Sequence, residues 1–514
     1  MLAQDALRAE QLTEIQHHFA ASAEWLLSFA ETNGFAIEAG EIELKLHHDK
    51  LVLSAPTARG WQHWIVQSWQ KSGEKLIFQT ARKLLSPAAT LEFTPRVSIG
   101  DLRSEVKAAR LAKAAELAEL ARKTFSNRAK IERVSLSQSN RRGKVGTIAR
   151  VLLKLPNGKS IAVCGSVVPK TNVANLLANS IFWFAKFSER RAVGELWLVA
   201  DNSFVKDLQN FWAILRNGWR ERIKIYRLDS NLNSNKAELP EATQILTLVE
   251  NVNFTDLWRI KPKRLLRPKA VELSQTAQTI LELAPDAIDV LRTKKGETLR
   301  FHGLPFVRIR EILGAEQTWF GANTRQQQIL NDENLEEFSV LLDNLRAHRN
   351  FAAADKRHAF YRAAPESWLE SMLRRDVSRL DPNLILAPLY AQFRLSNKKG
   401  ALDLLAVRSD GRLVVIELKT TTDREHVFQA AGYWRQIEQH RRSGNIGASK
   451  LFGKLPIADA PPLVYLVAPL MSFHRDYEIL ANTITREIEI WRFDLNEDWR
   501  SGIRVARRTN PAAR

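Results

Sequence analysis

Two stretches of this chain, Gly158-Lys-Ser-Ile-Ala-Val-Cys-Gly-Ser166 and Gly411-Arg-Leu-Val-Val-Ile-Glu-Leu-Lys419, match without a gap, and the segments after each come in the same order. A helix with an aromatic cluster comes next, Ile181-Phe-Trp-Phe184 in one and Gly432-Tyr-Trp434 in the other. Similar strands then pair off, Leu196-Trp-Leu-Val-Ala200 with Val464-Tyr-Leu-Val-Ala468, and Ile225-Tyr-Arg-Leu-Asp229 with Ile490-Trp-Arg-Phe-Asp494. Strands apolar on both faces that alternate with helices specify an α/β sheet with helices over it, and the repeat says that this architecture is used twice.

The copies differ where chemistry would lie. In the register set by Gly158 and Gly411, Asp403, Glu417 and Lys419 correspond to Arg150, Cys164 and Ser166. A carboxylate and an ammonium at the end of the apolar run Leu413-Val-Val-Ile416 are unexpected, because unpaired buried charge costs several kcal/mol. Whatever needs them at Glu417 and Lys419 is absent from the first copy.

The chain has 514 residues, which favours roughly three or four domains. Residues 1–100 read as a small α/β domain: a helix around Glu10 to Glu31, strands at Glu41–Lys45 and Lys50–Ser54, then an amphipathic helix through Trp61, Trp64 and Trp69. Residues 101–127 read as a basic connecting helix and 128–235 as the degenerate copy. Residues 236–350 form a middle α/β region that opens on the basic stretch Arg259-Ile-Lys-Pro-Lys-Arg264, and its segments Leu299–Arg308 and Trp319-Phe-Gly-Ala322 suggest a β-hairpin followed by a helix from Glu333 to Arg349. The second copy spans 351–500 and a basic tail 501–514.

A net charge of +19 and a pI near 10.0 favour a polyanionic partner, nucleic acid ahead of an anionic membrane surface. No segment approaches the roughly 20 apolar residues of a membrane span, and the N-terminus lacks a leader pattern, so a cytoplasmic protein without a membrane partner is expected. Cys164 is the sole cysteine, which excludes intrachain disulfides and cysteine-rich zinc sites. A metal would have to be held by oxygen or imidazole.

Hairpin register decides whether Asp403 and Glu417 meet. A two-residue loop at Asp410-Gly411 would set Asp403 opposite Leu418, pointing away from Glu417. A three-residue loop, Ser409-Asp410-Gly411 with Gly411 left-handed, sets Asp403 directly opposite Glu417, their Cβ atoms about 4.5–5.5 Å apart, with Lys419 on the same face. The three-residue loop is the expected one. Two carboxylates so placed suit Mg²⁺ or Mn²⁺, a hard cation that keeps waters, and Lys419 suits a developing negative charge. Glu366 and Glu370 share a face of the helix starting at Pro365, and Gln429 and Tyr433 share a face of the helix from Arg424 to His440. The tripeptide alone proves little: Glu43-Leu-Lys45 on a half-polar strand and Glu105-Val-Lys107 on a helix read as solvated faces.

With the aspartate element Gly400-Ala-Leu-Asp403, the Glu417-Leu418-Lys419 tripeptide and Gln429-Ala-Ala-Gly-Tyr433, residues 365 to about 495 resemble the PD-(D/E)XK nuclease superfamily, its RecB-like members in particular. The run Glu366–Asp381 and the Asp-Leu-Leu-Ala-Val hairpin are similar to the C-terminal domain of NucS-type endonucleases. Leu402 stands where the family's proline does. The resemblance implies a restriction-endonuclease-like core, a central mixed sheet flanked by helices, and Mg²⁺- or Mn²⁺-dependent hydrolysis of DNA. It makes Asp403, Glu417 and Leu418 metal-binding residues, Lys419 the catalytic lysine, Glu366 or Glu370 the helical carboxylate, and Gln429 and Tyr433 site residues. The expected function is a DNA endonuclease, with a homodimer left open. The alternatives are a catalytically silent nucleic-acid-binding or assembly protein, and a nuclease acting on RNA.

Overall fold

The computed structural model of the chain describes residues 2–510 apart from 23, 30–34, 48–49, 58–59, 82–88, 96–98, 139–144, 170, 190–192, 233–241, 260, 264, 266–271, 294–295, 313, 323–326 and 387–401. Gly400 and Ala401 of the aspartate element, Ile260 and Arg264 of the basic stretch, and 511–514 of the tail therefore lie outside the described residues. Two compact units divide the chain, Met1–Ala108 and Ala109–Arg514.

The first unit carries the helix Leu2–Ala20 and a seven-stranded sheet whose neighbouring strands all run antiparallel, so it is an antiparallel α+β unit. Two expectations are overturned here. Glu24–Phe29 is a strand, not the end of a helix: Trp25 and Leu27 alternate into the core at period two. The segment through Trp61, Trp64 and Trp69 is the strand Gly60–Ser72, not a helix; it pairs with Lys50–Thr57 along its first half and Lys75–Thr80 along its second. A register shift between Val66 and Ser68 turns it from one partner to the other. The tryptophan spacing imitates a helical stripe, but aromatic and β-branched residues with partners on both edges favour the sheet.

In the second unit two six-stranded mixed sheets have one topology. The first consists of β1 (Lys130–Leu136), β2 (Ile148–Lys154), β3 (Ser160–Ser166), β4 (Val193–Asp201), β5 (Ile223–Leu232) and β6 (Ala242–Leu248). The second consists of β7 (Leu384–Leu386), β8 (Leu404–Arg408), β9 (Leu413–Leu418), β10 (Leu463–Pro469), β11 (Glu489–Leu495) and β12 (Val505–Thr509). In each, strands lie in sequence order; the first two pairings are antiparallel, the next two parallel and the last antiparallel. The central strands β9 and β10 are buried along their whole length, as parallel strands covered on both faces must be.

Helix α1 (Val173–Ser188) follows β3, and its counterpart α3 (His426–Arg442) follows β9. The opposite face of the second sheet is covered by α2 (Pro365–Arg375), whose Trp368, Leu369 and Leu373 pack on Leu404, Ile416 and Leu418. The helix Ile99–Phe125 does the same for the first sheet, setting Ala114, Leu117, Ala118 and Ala121 on Ala149, Val151 and Val163. What reads in sequence as a connector is thus a layer of the first copy. Likewise β6 lies beyond residue 235 and β12 within the expected tail, because each sheet needs its antiparallel edge strand.

Between the copies, the strands Ile288–Thr293, Gly296–Phe301, Leu304–Ile312, Ala315–Phe320 and Gln328–Ile329 form a five-stranded antiparallel sheet packed on the helix Leu335–His348. One apolar core runs from the first sheet through α1 and α3 to the second, joining Ala162, Cys164, Leu177 and Ile181 to Val427, Phe428, Trp434, Val464 and Leu466.

Candidate active site

Strand β9 is Leu-Val-Val-Ile-Glu-Leu, and Glu417 is only 3% exposed in it. Its hairpin closes through Ser409-Asp410-Gly411: the Arg408 N–H donates to the Arg412 carbonyl at 2.8 Å, and the Gly411 N–H to the Arg408 carbonyl at 2.8 Å. Gly411 has φ +83, and a Cβ there would stand 2.8 Å from the Pro456 carbonyl oxygen, so the turn requires glycine. The resulting register puts Leu404 opposite Ile416, hence Asp403 opposite Glu417. The three-residue loop is the one formed.

Around this pair the contacts are specific. The Leu418 N–H donates to Asp403 Oδ2 at 2.8 Å, and Lys419 Nζ donates to Glu417 Oε1 at 3.1 Å. Glu417 Oε2 is buried with no hydrogen-bond partner among the described residues. Leu418 turns its side chain into the core under α2, so it offers the site only main chain.

Electrostatics follow from burial. Desolvation, reinforced by Glu370 and Glu366 against the pull of Lys419 and the Leu418 N–H, pushes the Asp403 carboxyl up to about 6. Burial and the facing Asp403 raise Glu417 well above the carboxylate range. Burial opposes the Lys419 ammonium, but Glu417, Asp403 and Glu366 outweigh it and hold the group above its ordinary value. Burial, then Glu417 and Asp403, raise Tyr433, which keeps its phenol protonated beside the pair.

Of the two candidate helical carboxylates, Glu366 faces the site: the Thr420 N–H points at its Oε1 at 3.5 Å. Glu370 is held elsewhere, by Arg374 Nε at 2.7 Å and Arg300 Nη1 at 3.3 Å, with Arg300 in turn on Asp289 at 2.6 Å. Arg374 also donates to the Asp403 carbonyl at 3.2 Å, so Glu370 supports the aspartate through an arginine. Gln429 Nε2 turns to Glu425 at 3.2 Å.

His426 and Glu425 escaped sequence reasoning. The His426 ring donates from Nε2 to the Glu417 carbonyl at 3.1 Å, and burial with Lys419 nearby lowers it to about 3, which keeps it neutral. Neither carries a spacing that would single it out.

The first copy repeats the scaffold without the charges. Its loop closes on Gly158 with φ +84, and Arg150 sits opposite Cys164. Burial pushes the Cys164 thiol up to about 11, so it offers no thiolate. Arg150 donates to the Asn179 carbonyl at 3.3 Å, and Ser166 Oγ to the Val168 carbonyl at 2.8 Å.

Among the described residues no three His, Cys, Asp or Glu side chains gather into a metal-holding cluster. A cation here would rest on Asp403 and Glu417, completed by main chain, water and substrate. The donor chemistry fits, since two oxygens of opposed carboxylates, one of them orphaned, suit a hard divalent ion. No helix among the described residues is long and apolar enough to cross a membrane.

No protein-family model matches the chain, and no curated protein matches it. Among solved structures, EndoMS in its apo form is similar: 14% identity, covering 39% of this chain and 90% of EndoMS, with a TM-score of 0.15. A TM-score that low transfers no residue role to this chain.

Proposed function

We propose that the chain is a metal-dependent endonuclease that hydrolyses DNA phosphodiester bonds in its second mixed-sheet half. The observation that carries this reading is the Glu417 carboxylate, buried opposite Asp403 with Oε2 lacking a partner and Lys419 on Oε1. Such a group is costly to fold and is retained where chemistry requires it. Mg²⁺ or Mn²⁺ held by Asp403 and Glu417 would supply Lewis-acid polarisation of the phosphate and acidify a water.

The chain's own residues do the rest. The Leu418 N–H fixes the Asp403 rotamer, and Arg374 holds the Asp403 main chain. Lys419, kept protonated by its carboxylate neighbours, serves the charge developing on the phosphoryl oxygens rather than acting as a base. Tyr433 can donate a hydrogen bond beside the pair, and the Glu366 carboxyl group closes its edge. Water adds to phosphorus as one P–O ester bond breaks, and the proton that water loses ends on the departing oxygen. The products are a phosphomonoester and a hydroxyl. The charge of +19 supplies affinity for the polyanion, and the first copy, with Arg150 in place of an aspartate, serves as binding surface.

Labelled single-stranded, duplex and branched DNA, and RNA, incubated with the full chain in Mg²⁺, Mn²⁺ or EDTA, test this. Metal-dependent DNA cleavage that Glu417→Ala removes while binding persists is expected. Binding without cleavage in both proteins would make the chain a silent binding or assembly protein, and preferential cleavage of RNA would reassign the substrate.

A further inference from the structure

The two copies meet as a dimer does. In a two-fold arrangement a position can touch its own equivalent only on the axis. This happens twice here. Asn172 and Glu425 each stand immediately before the helix that follows the central hairpin, and Asn172 Nδ2 donates to Glu425 Oε2 at 3.0 Å. Leu215 and Ile484, each in the segment leading into the fifth strand of its sheet, form an antiparallel bridge; Arg216 N–H donates to Thr483 at 2.9 Å and Thr485 N–H to Ile214 at 2.8 Å, reciprocally. Both contacts are those that a local two-fold axis through them would give, and the two halves share one apolar core.

The site is tied to the first of these contacts. Glu425 precedes His426, whose ring holds the Glu417 carbonyl, so the Asp403 and Glu417 pair stands beside the Asn172 contact. The equivalent position in the other half is occupied by Arg150 and Cys164. Arg424, at the start of α3, reaches across to Asn179 Oδ1 at 2.8 Å, while Arg150 holds the Asn179 carbonyl, so the two ends adjoin.

Duplex DNA has its own two-fold axes, which relate its antiparallel strands, and a two-fold protein laid on one offers one half to each strand. We infer that this chain is a built-in dimer that seats both strands of a duplex and cuts one of them: a nicking enzyme. The inference rests on the nuclease reading above. Hydrolysis occurs once, at the strand facing Asp403 and Glu417; the strand facing Arg150 meets a cation and no metal-holding carboxylate, and stays intact.

Closed circular plasmid with the full chain and Mg²⁺ tests it. Open circles should accumulate first, with linear DNA forming slower by about tenfold or more. In EDTA, one chain should bind one duplex of about two helical turns. Linear DNA as the first product, or two chains required per duplex, would overturn the inference while leaving the nuclease reading intact, and so would cleavage of single-stranded circles only. No cleavage of any DNA would instead sink the nuclease reading, and this inference with it.

Discussion

The hairpins β2–β3 and β8–β9 have the same loop length, the same left-handed glycine and the same register, yet one buries a thiol where the other buries a carboxylate. The fold therefore does not need Glu417. Cys164 fills the equivalent place with no charge to desolvate, and its sheet forms with the same strand order. On the proposed nuclease reading, a carboxylate at a position where a small apolar group suffices serves function at a cost in stability. The same logic covers Arg150 against Asp403: the hairpin accepts either sign of charge, and only one sign can share a cation with residue 417.

The largest expected difference is catalytic. Glu417→Ala or Lys419→Ala should reduce DNA cleavage by on the order of 10²–10³-fold, whereas Cys164→Ala should leave it within about twofold. Equal losses in both halves, in single-turnover rates, would break the comparison. Next comes stability. Placed on an Arg150→Ala background, which removes the facing guanidinium, Cys164→Glu sets an unpartnered carboxylate in a fully buried site and should cost about 3–5 kcal/mol relative to Arg150→Ala alone by urea denaturation. If the first half absorbs that charge with less than about 1 kcal/mol lost, the cost assigned to Glu417 is wrong.

The smallest effect is a pH dependence of the metal-free protein. An acid whose folded value is raised contributes stability that is present below its ordinary value and lost as pH rises through the folded one. For Asp403 the window runs from its ordinary 3.8 to about 6; for Cys164 it runs from 9.0 to about 11. Without metal, Asp403→Asn should therefore gain thermal stability over the parent as pH rises from 4 to 6, then hold that gain to about pH 8. Cys164→Ala should show no such trend in that range. A difference between Asp403→Asn and the parent that does not vary with pH would show that Asp403 is not desolvated.

Local patterning made the site's frame legible. Gly411 three residues after Arg408 fixes the loop, the loop fixes the register, and the register brings Asp403 to Glu417. The repeat was legible because β3 and β9 carry an apolar run at the same distance after a loop glycine, followed by strands in the same order. Partners distant in sequence were not legible: the choice between Glu366 and Glu370 turns on Arg300, which arrives from the middle sheet. The role of the helix Ile99–Phe125 depends on the sheet beneath it, and alanines at helical spacing do not announce what they cover. In the first unit, tryptophans spaced like a helix lie on a strand because both edges of Gly60–Ser72 have partners. The contacts that define the two-fold axis join residues more than two hundred positions apart and leave no trace in local pattern.

The central claim is that one half holds a divalent cation and the other does not. Mn²⁺ titration of the purified chain, followed calorimetrically for the parent, for Asp403→Asn with Glu417→Gln, and for Arg150→Ala with Cys164→Ala, tests it without reference to cleavage. Saturable binding should disappear in the first double variant and persist in the second. Saturable binding that survives loss of both carboxylates, or that disappears with Arg150 and Cys164, would contradict it.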